Sequence, residues 1–232
     1  MRIIVFDTET TGLPKIKIMN PDTLNKWPYI VQLSYIIYDT NINDIMDICD
    51  NIIKMKENII IPEDSIAIHK ITNEISLEKG INLDLVLNKF IIDLNSSDLL
   101  VGHNISFDIN MVKVELLRLI YDNNSNKSEQ EIKNFKNNLY FLTNFKNIYC
   151  TLDKSKELCN IKSIDKYGKE YIKFPKLVEL HNTLFNSIPN NLHNSLNDIL
   201  ITLRCFMKLK YNKDLLEYCS KFQKISYEMQ LL

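Results

Sequence analysis

The 232-residue chain has little glycine, only 4 residues, together with 6 prolines and 1 tryptophan. This scarcity excludes collagen-like and other glycine- or proline-rich low-complexity chains. An excess of charge of either sign is also missing, because 28 lysines and arginines oppose 29 aspartates and glutamates, for a net charge of −1. A sequence-independent binder of duplex nucleic acid is usually basic throughout, so any nucleic-acid contact of this chain must be local.

Long apolar runs and paired cysteine motifs are lacking as well. No run is long enough to span a membrane, and the first acids follow a short apolar segment without the pattern of a signal peptide. The cysteines are odd in number and form no CxxC pair: Cys49, Cys150, Cys159, Cys205 and Cys219. We therefore expect reduced thiols in an intracellular, cytosol-like reducing compartment, with neither signal peptide nor transmembrane segment.

The order of apolar patterns predicts an α/β domain. Residue types favoured in strands occur at 2–6, 29–38, 44–55, 98–102 and 148–150, and helical spacing occurs at 83–94, 105–121, 174–185, 194–210 and 213–232. Strands that first pair as hairpins and then alternate with helices indicate a mixed sheet flanked by helices. Residues 122–147 are rich in asparagine and lysine and are predicted to be a surface insertion with one helix at 129–137, while residues 211–232 form a C-terminal helical extension.

Acidic residues follow the ends of predicted strands or begin predicted helices in three separate segments. Asp7 and Glu9 follow the first strand, two residues apart, so an extended backbone would place both on one face. Alone, this pair is equally well explained as a solvated turn. Asp108 lies in a first helical turn, and Ser195-x-x-Asp198 resembles a helix-capping pattern, so each alone is better explained structurally.

Taken together, the acids indicate a catalytic site. The carboxyl ends of strands in an open α/β sheet meet at one crevice, so the four carboxylates should converge there. Four close carboxylates repel each other unless cations bind between them, and two divalent cations held this way can hydrolyse a phosphodiester. His193, five residues before Asp198, has an imidazole suited to accept the proton of a water.

At three places the sequence resembles the DEDDh 3′–5′ exonucleases, a family that includes the proofreading subunit of bacterial DNA polymerase III. The motifs are Val5-Phe-Asp7-Thr-Glu9-Thr-Thr-Gly12-Leu13, then Val101-Gly-His-Asn104-Ile-Ser-Phe107-Asp108, and finally His193-x-x-x-x-Asp198. Ile68-His-Lys-Ile-Thr72 is a weaker echo of the family, which often has glycine where Lys70 stands. The resemblance covers residues 1–210 and implies an exonuclease domain there.

The resemblance implies a fold and a set of roles. The fold would be RNase H-like, with a mixed five-stranded sheet flanked by helices. Asp7, Glu9, Asp108 and Asp198 would hold two Mg²⁺ or Mn²⁺ ions, with His193 as the general base. Contacts to the terminal nucleotide would come from five residues: Thr10, Leu13, His69, Asn104 and Phe107.

The function implied is release of nucleoside monophosphates from single-stranded or frayed 3′ ends of DNA or RNA. DNA is favoured over RNA because of the Ile68–Thr72 echo of polymerase-associated members. The alternatives are an RNA-trimming exoribonuclease, an RNase H-like endonuclease, and a non-catalytic module that binds nucleic-acid ends or a polymerase. The resemblance also leaves open a polymerase partner or a homodimer.

Several other residues have competing interpretations. His103 and His181 are interpreted as structural, His181 at the edge of the core. Trp27 and Tyr29 either stack on bases or pack at the start of a strand, and Lys15 and Lys17 either meet phosphates or are solvated. The five lysines between Lys162 and Lys176 are the best candidate for a basic patch.

Overall fold

The computed structural model describes residues 1–122 and 127–232, and its main feature is a mixed five-stranded sheet. The strands are β1 Arg2–Thr10, β2 Ile30–Asp39, β3 Asp44–Ile52, β4 Leu99–Gly102 and β5 Ile148–Cys150, in the order β3-β2-β1-β4-β5. β1, β2 and β3 pair antiparallel, whereas β4 and β5 run parallel to β1. The predicted fold class, an α/β domain with a mixed sheet flanked by helices, is confirmed.

Helices cover both faces of the sheet. They are α1 Glu63–His69, α2 Asn73–Lys79, α3 Leu83–Asn95, α4 Ile105–Tyr121, α5 Glu129–Asn144, α6 Thr151–Cys159, α7 Leu177–Phe185, α8 Ser195–Tyr211, α9 Leu215–Tyr218 and α10 Ser220–Glu228, with a 3₁₀ helix at Pro21–Lys26. A separate hairpin joins β6 Lys162–Ile164 to β7 Glu170–Ile172. Along β1 the side chains alternate between two cores, with Ile4 and Phe6 on one face and Ile3 and Val5 on the other. This explains why β1 is a continuous apolar run.

The C-terminal segment differs from its prediction. The single helix predicted at 213–232 is wrong, because Cys219 has an extended backbone that separates α9 from α10. Leu215, Phe222 and Leu231 are completely buried in the core that also contains α8. This segment therefore fills one of the two cores, and the domain boundary at residue 210 stays a prediction.

The predicted insertion also contains more structure than its composition indicates. α5 continues to Asn144, beyond the predicted end at residue 137, and it packs on α4 with Phe135 and Leu142 buried. The predicted polar tract includes residues 123–126, which lie outside the described residues. That the whole segment is an insertion stays a prediction.

Two observations concern the expected compartment. Among the described residues, none of the helices has both the length and the apolar character needed to cross a membrane. All five cysteines are free thiols.

Candidate active site

β1 continues past its apolar run and holds the first two acids. Its pairing with β2 includes Asp7↔Ser34 and Glu9↔Gln32, so the backbone stays extended through both acids. Residues two apart on a strand face the same side. Asp7 and Glu9 therefore point to the face on which α8 packs.

The N-terminus of α8 is bound directly to this part of the sheet. The Ser195 hydroxyl donates to the Asp7 backbone carbonyl over 2.8 Å, and the Ser195 amide donates to Gln32 Oε1 over 3.3 Å. Asn194 is the N-cap, since its Oδ1 accepts from the Leu196 amide over 3.1 Å. The capping role suggested for Ser195 is therefore wrong, and this residue instead brings the first turn of α8, with Asp198, to the acids of β1.

Asp108 enters from the opposite side of β1. β4 pairs with β1 only as far as Val5↔Val101, which leaves the edge of β1 free beyond that point. The first turn of α4 fills this gap, and Asp108 Oδ1 accepts from the Thr8 amide over 3.0 Å and from the Thr8 hydroxyl over 2.7 Å. Asp108 is buried, with 3% of its surface exposed.

The four acids form one cluster. Asp7, Glu9 and Asp198 each offer an oxygen within 4.8 Å of the others. Burial is the largest cause that raises each pKa, and neighbouring carboxylates raise those of Asp7, Glu9 and Asp108 further. The pKa of Asp7 lies well above its ordinary value, that of Glu9 rises to about 8, and those of Asp108 and Asp198 rise to about 7.

This cluster fits divalent cations. Neighbouring carboxylates with raised pKa values oppose each other's ionisation. A hard divalent cation relieves this repulsion and takes their oxygens as ligands. A cavity of about 790 Å³ opens on all four acids, which leaves room for a cation and a substrate. Carboxylate oxygens with open space beside them are the donor set that Mg²⁺ and Mn²⁺ prefer.

The same cavity brings together most of the other residues that the resemblance implied. Leu13, Asn104, Phe107 and His193 line it, and the Leu13 side chain is 79% exposed. His193 is exposed at φ 69°, and its amide donates to Asp198 Oδ1 over 3.3 Å. Within the described ranges the His193 ring forms no hydrogen bond, so no hydrogen-bond partner fixes its orientation.

Two predicted contact residues do not line the cavity. The Thr10 hydroxyl donates to the Gly12 carbonyl over 2.7 Å and so shapes the turn after β1. His69 is 4% exposed at the end of α1, where its Nδ1 accepts from the Ile71 amide over 3.1 Å. Burial lowers its pKa, an effect that the Thr10 carbonyl partly opposes. Lys70, where the family often has glycine, adopts the left-handed φ of 65° that favours glycine.

A histidine connects two other segments that line the cavity. His103 lies between the Thr151 hydroxyl at 2.9 Å and the Pro175 carbonyl at 3.1 Å. Burial lowers the pKa of His103 to about 4, so the ring is neutral at pH 7 and its Nε2 donates to Pro175. This agrees with the structural role predicted for His103. Cys150 is the N-cap of α6, and the hydroxyl of the next residue, Thr151, lies 3.2 Å from the Gly102 carbonyl.

The remaining aromatic and histidine candidates pack inside the protein. Trp27 is 5% exposed and its Nε1 donates to the Ile18 carbonyl over 3.0 Å. The Arg118 guanidinium stacks on Tyr29, with 3.8 Å from its central carbon to the ring centroid. His181 is buried between the Ser187 carbonyl and Arg204, each at 2.9 Å. For these residues the packing interpretation is the one that the geometry supports.

Thr8, Gln32 and Ser195 support the acids, a role that the sequence patterns did not indicate for any of them. Thr8 lies between the two acids of the first motif. For these three residues, that position was the one feature of the sequence that could have indicated a role beside the acids. Gln32 and Ser195 lie 163 residues apart in the sequence, so only the folded chain reveals their contact.

Comparison with known proteins agrees with this geometry. A family model described as an exonuclease, of the RNase T type, matches residues 4–206. No curated protein matches the chain. Among solved structures, Escherichia coli exonuclease I in complex with a dT13 oligonucleotide has a TM-score of 0.60 and 15% identity, over 94% of this chain and 43% of that one.

Two further structures have the same fold. Exonuclease I from Methylocaldum szegediense has a TM-score of 0.59 and 15% identity over 91% of this chain and 41% of that one. Cell-death related nuclease 4 has a TM-score of 0.57 and 13% identity over 92% of this chain and 64% of that one. The chain thus spans less than two thirds of the length of these proteins. With a family match over most of its length and an RNase H-like sheet, the chain belongs to the DEDD-type 3′–5′ exonuclease family.

Proposed function

We propose that this chain hydrolyses single-stranded nucleic acid from its 3′ end, releasing nucleoside monophosphates one at a time with divalent cations as cofactors. The observation that carries this proposal is the cluster of four carboxylates, one buried and three partly buried, that lines an open cavity. DNA is the preferred strand in this proposal. Support for that choice comes from Escherichia coli exonuclease I, whose structures hold dT13 and dA16 oligonucleotides.

In this proposal Asp7, Glu9, Asp108 and Asp198 hold two divalent cations, Mg²⁺ or Mn²⁺. Bound cations supply positive charge that favours ionisation of a water and offsets the charge of the leaving oxygen. His193 accepts the proton of the attacking water. His193 suits that role because it is exposed, lines the cavity and is tied to Asp198 through its own amide.

The substrate end would be placed by the residues around the cavity mouth. Leu13 offers an exposed apolar side chain for a base face, and Asn104 and Phe107 line the floor beside the acids. Thr10 would act through the turn that carries Leu13. A contact from His69 would require the turn after β1 to move, because His69 is buried behind it. A polymerase partner and a homodimer stay predictions.

A gel assay tests this proposal. The purified protein is mixed with 5′-labelled single-stranded DNA and RNA of matched sequence, in Mg²⁺, in Mn²⁺ or in EDTA. We expect a ladder that shortens from the 3′ end, disappears in EDTA and forms faster with DNA. A circular single strand should stay intact, whereas its cleavage would indicate an endonuclease.

The first prediction concerns His193, the proposed general base. His193→Asn should lower kcat by roughly 10²–10⁴-fold, the usual contribution of general base catalysis, with little change in strand affinity. Asparagine is chosen because it tolerates the left-handed backbone at this position. Kinetics on labelled strands measure kcat, and circular dichroism verifies the fold. Full activity in this variant would remove His193 from the mechanism, and no degradation by the unmodified protein with any metal would favour an end-binding module.

A further inference from the structure

One segment beside the cavity holds much of the positive charge of the chain. Residues 154–176, which we call the basic arm, contain seven lysines and three acids, although the whole chain has 28 basic and 29 acidic residues. The arm consists of the end of α6, the β6–β7 hairpin and the segment that leads into α7. Its charge is therefore a local feature in an otherwise balanced protein.

The hairpin of the arm has a well-defined turn. The Asp165 carboxylate accepts from the Tyr167 amide over 2.8 Å and from the Lys169 amide over 2.9 Å. Gly168 has a φ of +82°, which closes the turn without strain, and Gly168 donates back to the Asp165 carbonyl over 3.0 Å. These bonds hold Lys166 and Tyr167 at the tip before any ligand binds.

Exposed aromatic rings alternate with lysines along the arm. Tyr167 is 82% exposed, Phe174 is 50% exposed and Tyr171 is 47% exposed. Lys166 Nζ lies 4.9 Å from the Tyr167 ring centroid, and Lys156 Nζ lies 4.7 Å from that of Phe174. Among the described residues, Lys173 is the one lysine of the arm with a salt bridge, to Glu179. The other six lysines are available for phosphates.

The arm begins at the wall of the active-site cavity. β7 is followed by Lys173 and then by Phe174, Pro175 and Lys176, which line the same cavity as the acids. The bond from His103 to the Pro175 carbonyl fixes this wall to the segment that carries Asn104 and Asp108. A strand whose 3′ end lies at the acids thus has Phe174 and Lys176, the cavity-lining end of the arm, next to it.

We propose that the basic arm binds the single-stranded part of the substrate on the 5′ side of the terminal nucleotide. This inference rests on the proposed function, which places the 3′ end at the acids. Lysines of the arm meet backbone phosphates, and Tyr167, Tyr171 and Phe174 stack on bases. A single strand is the occupant because the bases of a duplex are already stacked and cannot cover the exposed rings.

Binding as a function of salt tests the arm. An Asp7→Asn background prevents cleavage, and fluorescence anisotropy measures the affinity for labelled oligothymidylate of about 20 nucleotides in Mg²⁺. The double change Lys166→Ser, Lys169→Ser should reduce the slope of log K against log salt by about 1.4, since each phosphate contact on a single strand contributes about 0.7. Tyr167→Ala should weaken binding about tenfold with no change in slope, because stacking is not ionic.

A matched control has the same charge loss elsewhere. Lys133→Ser, Lys136→Ser removes two exposed lysines of α5, which does not line the cavity. This control should leave slope and affinity as they are. An equal loss in the control and the arm variant would mean that only net charge matters and would overturn the inference, as would tighter binding of a blunt duplex than of the single strand.

Kinetics separate this inference from the proposed function. With Asp7 restored, the arm variant should raise KM for the long strand by a factor at least about ten times larger than its factor for a dinucleotide, which has no further strand on the 5′ side to bind the arm. If the unmodified protein cleaves neither substrate, the proposed function fails. If it cleaves both, and the arm variant keeps the ratio of the two KM values, the function stands and the arm inference is wrong.

Discussion

Asp7 occupies the centre of the acid cluster. Its carboxyl group is affected by Asp108, Asp198 and Glu9, while its backbone carbonyl accepts from Ser195. In the absence of a cation these carboxylates oppose each other's ionisation inside the protein. The geometry that suits cations therefore costs stability whenever no cation is bound.

The second prediction follows from that conflict. Asp7→Asn should abolish cleavage and at the same time stabilise the metal-free protein at pH 8, because it removes one ionisable group from the cluster and keeps its shape. We expect Tm in EDTA to rise by at least about 3 °C, which corresponds to roughly 1 kcal/mol in a domain of this size. Thermal unfolding measures the shift, with the exposed Glu57→Gln as control. A lower Tm would contradict the repulsion.

Which single residues could be predicted depends on how local their pattern is. Asp7 and Glu9 are predictable because a strand followed by two acids is readable within one segment. Thr8 and Ser195 are different, since their bonds join residues 100 and 188 positions apart. A hydroxyl group has no pattern that identifies a partner so far away, so these two supports appear only in the folded chain.

At the scale of elements, α8 and α9 are joined by a buried ion pair. Arg204 Nε and Nη2 donate to the two oxygens of Asp214 over 2.8 and 2.7 Å. Its Nη1 lies 2.9 Å from His181 Nε2, and the Phe185 ring lies 3.8 Å from its central carbon. All three nitrogens of the guanidinium have a partner and one of its faces has a ring against it, so the pair fixes the C-terminal helices against α8.

The third prediction is that Asp214→Ala destabilises the protein by about 3 kcal/mol, because it leaves the charge of Arg204 buried without its partner. Glu228→Ala is the control, since it breaks the Lys224–Glu228 pair, whose side chains are 76% and 59% exposed. That change should cost less than about 0.5 kcal/mol. Urea denaturation measures both. Equal effects would show that the Arg204 pair is no stronger than a surface pair.

Elements were predictable where their apolar pattern is long. The bounds predicted for α4 agree with the structure, because a helix of 17 residues is long enough to repeat the helical spacing of apolar residues several times. α1 and α2 have 7 residues each, which is too short to establish that period. The β6–β7 hairpin was not predicted either, since its strands have 3 residues each. Neither strand has a buried face, so the sequence lacks the alternation of apolar and polar residues that indicates a strand.

For the whole molecule, the acid cluster predicts how metal-free stability depends on pH. The pKa values of Glu9, Asp108 and Asp198, at about 7 to 8, are raised in the folded state, which therefore binds more protons than the unfolded chain between pH 4 and pH 8. Stability from such groups is complete below their ordinary pKa and is lost as the pH rises through the raised values. Acids with lowered pKa values, such as Asp39 and Asp214, are already ionised above pH 6.

The fourth prediction is that Tm in EDTA falls by several degrees between pH 6 and pH 8.5. Each kcal/mol of unfolding free energy that is lost lowers Tm by about 2–4 °C in a domain of this size. Mg²⁺ or Mn²⁺ should raise Tm more at pH 8.5 than at pH 6, because the carboxylates must lose their protons to bind a cation. Thermal scans over this pH range test both expectations. A Tm in EDTA that is flat or rises with pH would contradict the raised pKa values, and Asp7→Asn should make the profile shallower.

The bond between Ser195 and the Asp7 carbonyl joins residues 188 positions apart, and Asp198 reaches the cluster through it. A chain still emerging from the ribosome carries Asp7, Glu9 and Asp108 long before it carries Asp198. The histidine and the fourth acid are synthesised well after Asp108, and closing so long a loop adds to the entropic cost of completing the site. In the proposed mechanism, a nascent chain that stops short of α8 lacks both the fourth acid and the general base, so its cleavage site is completed only once α8 has been made and has docked on β1.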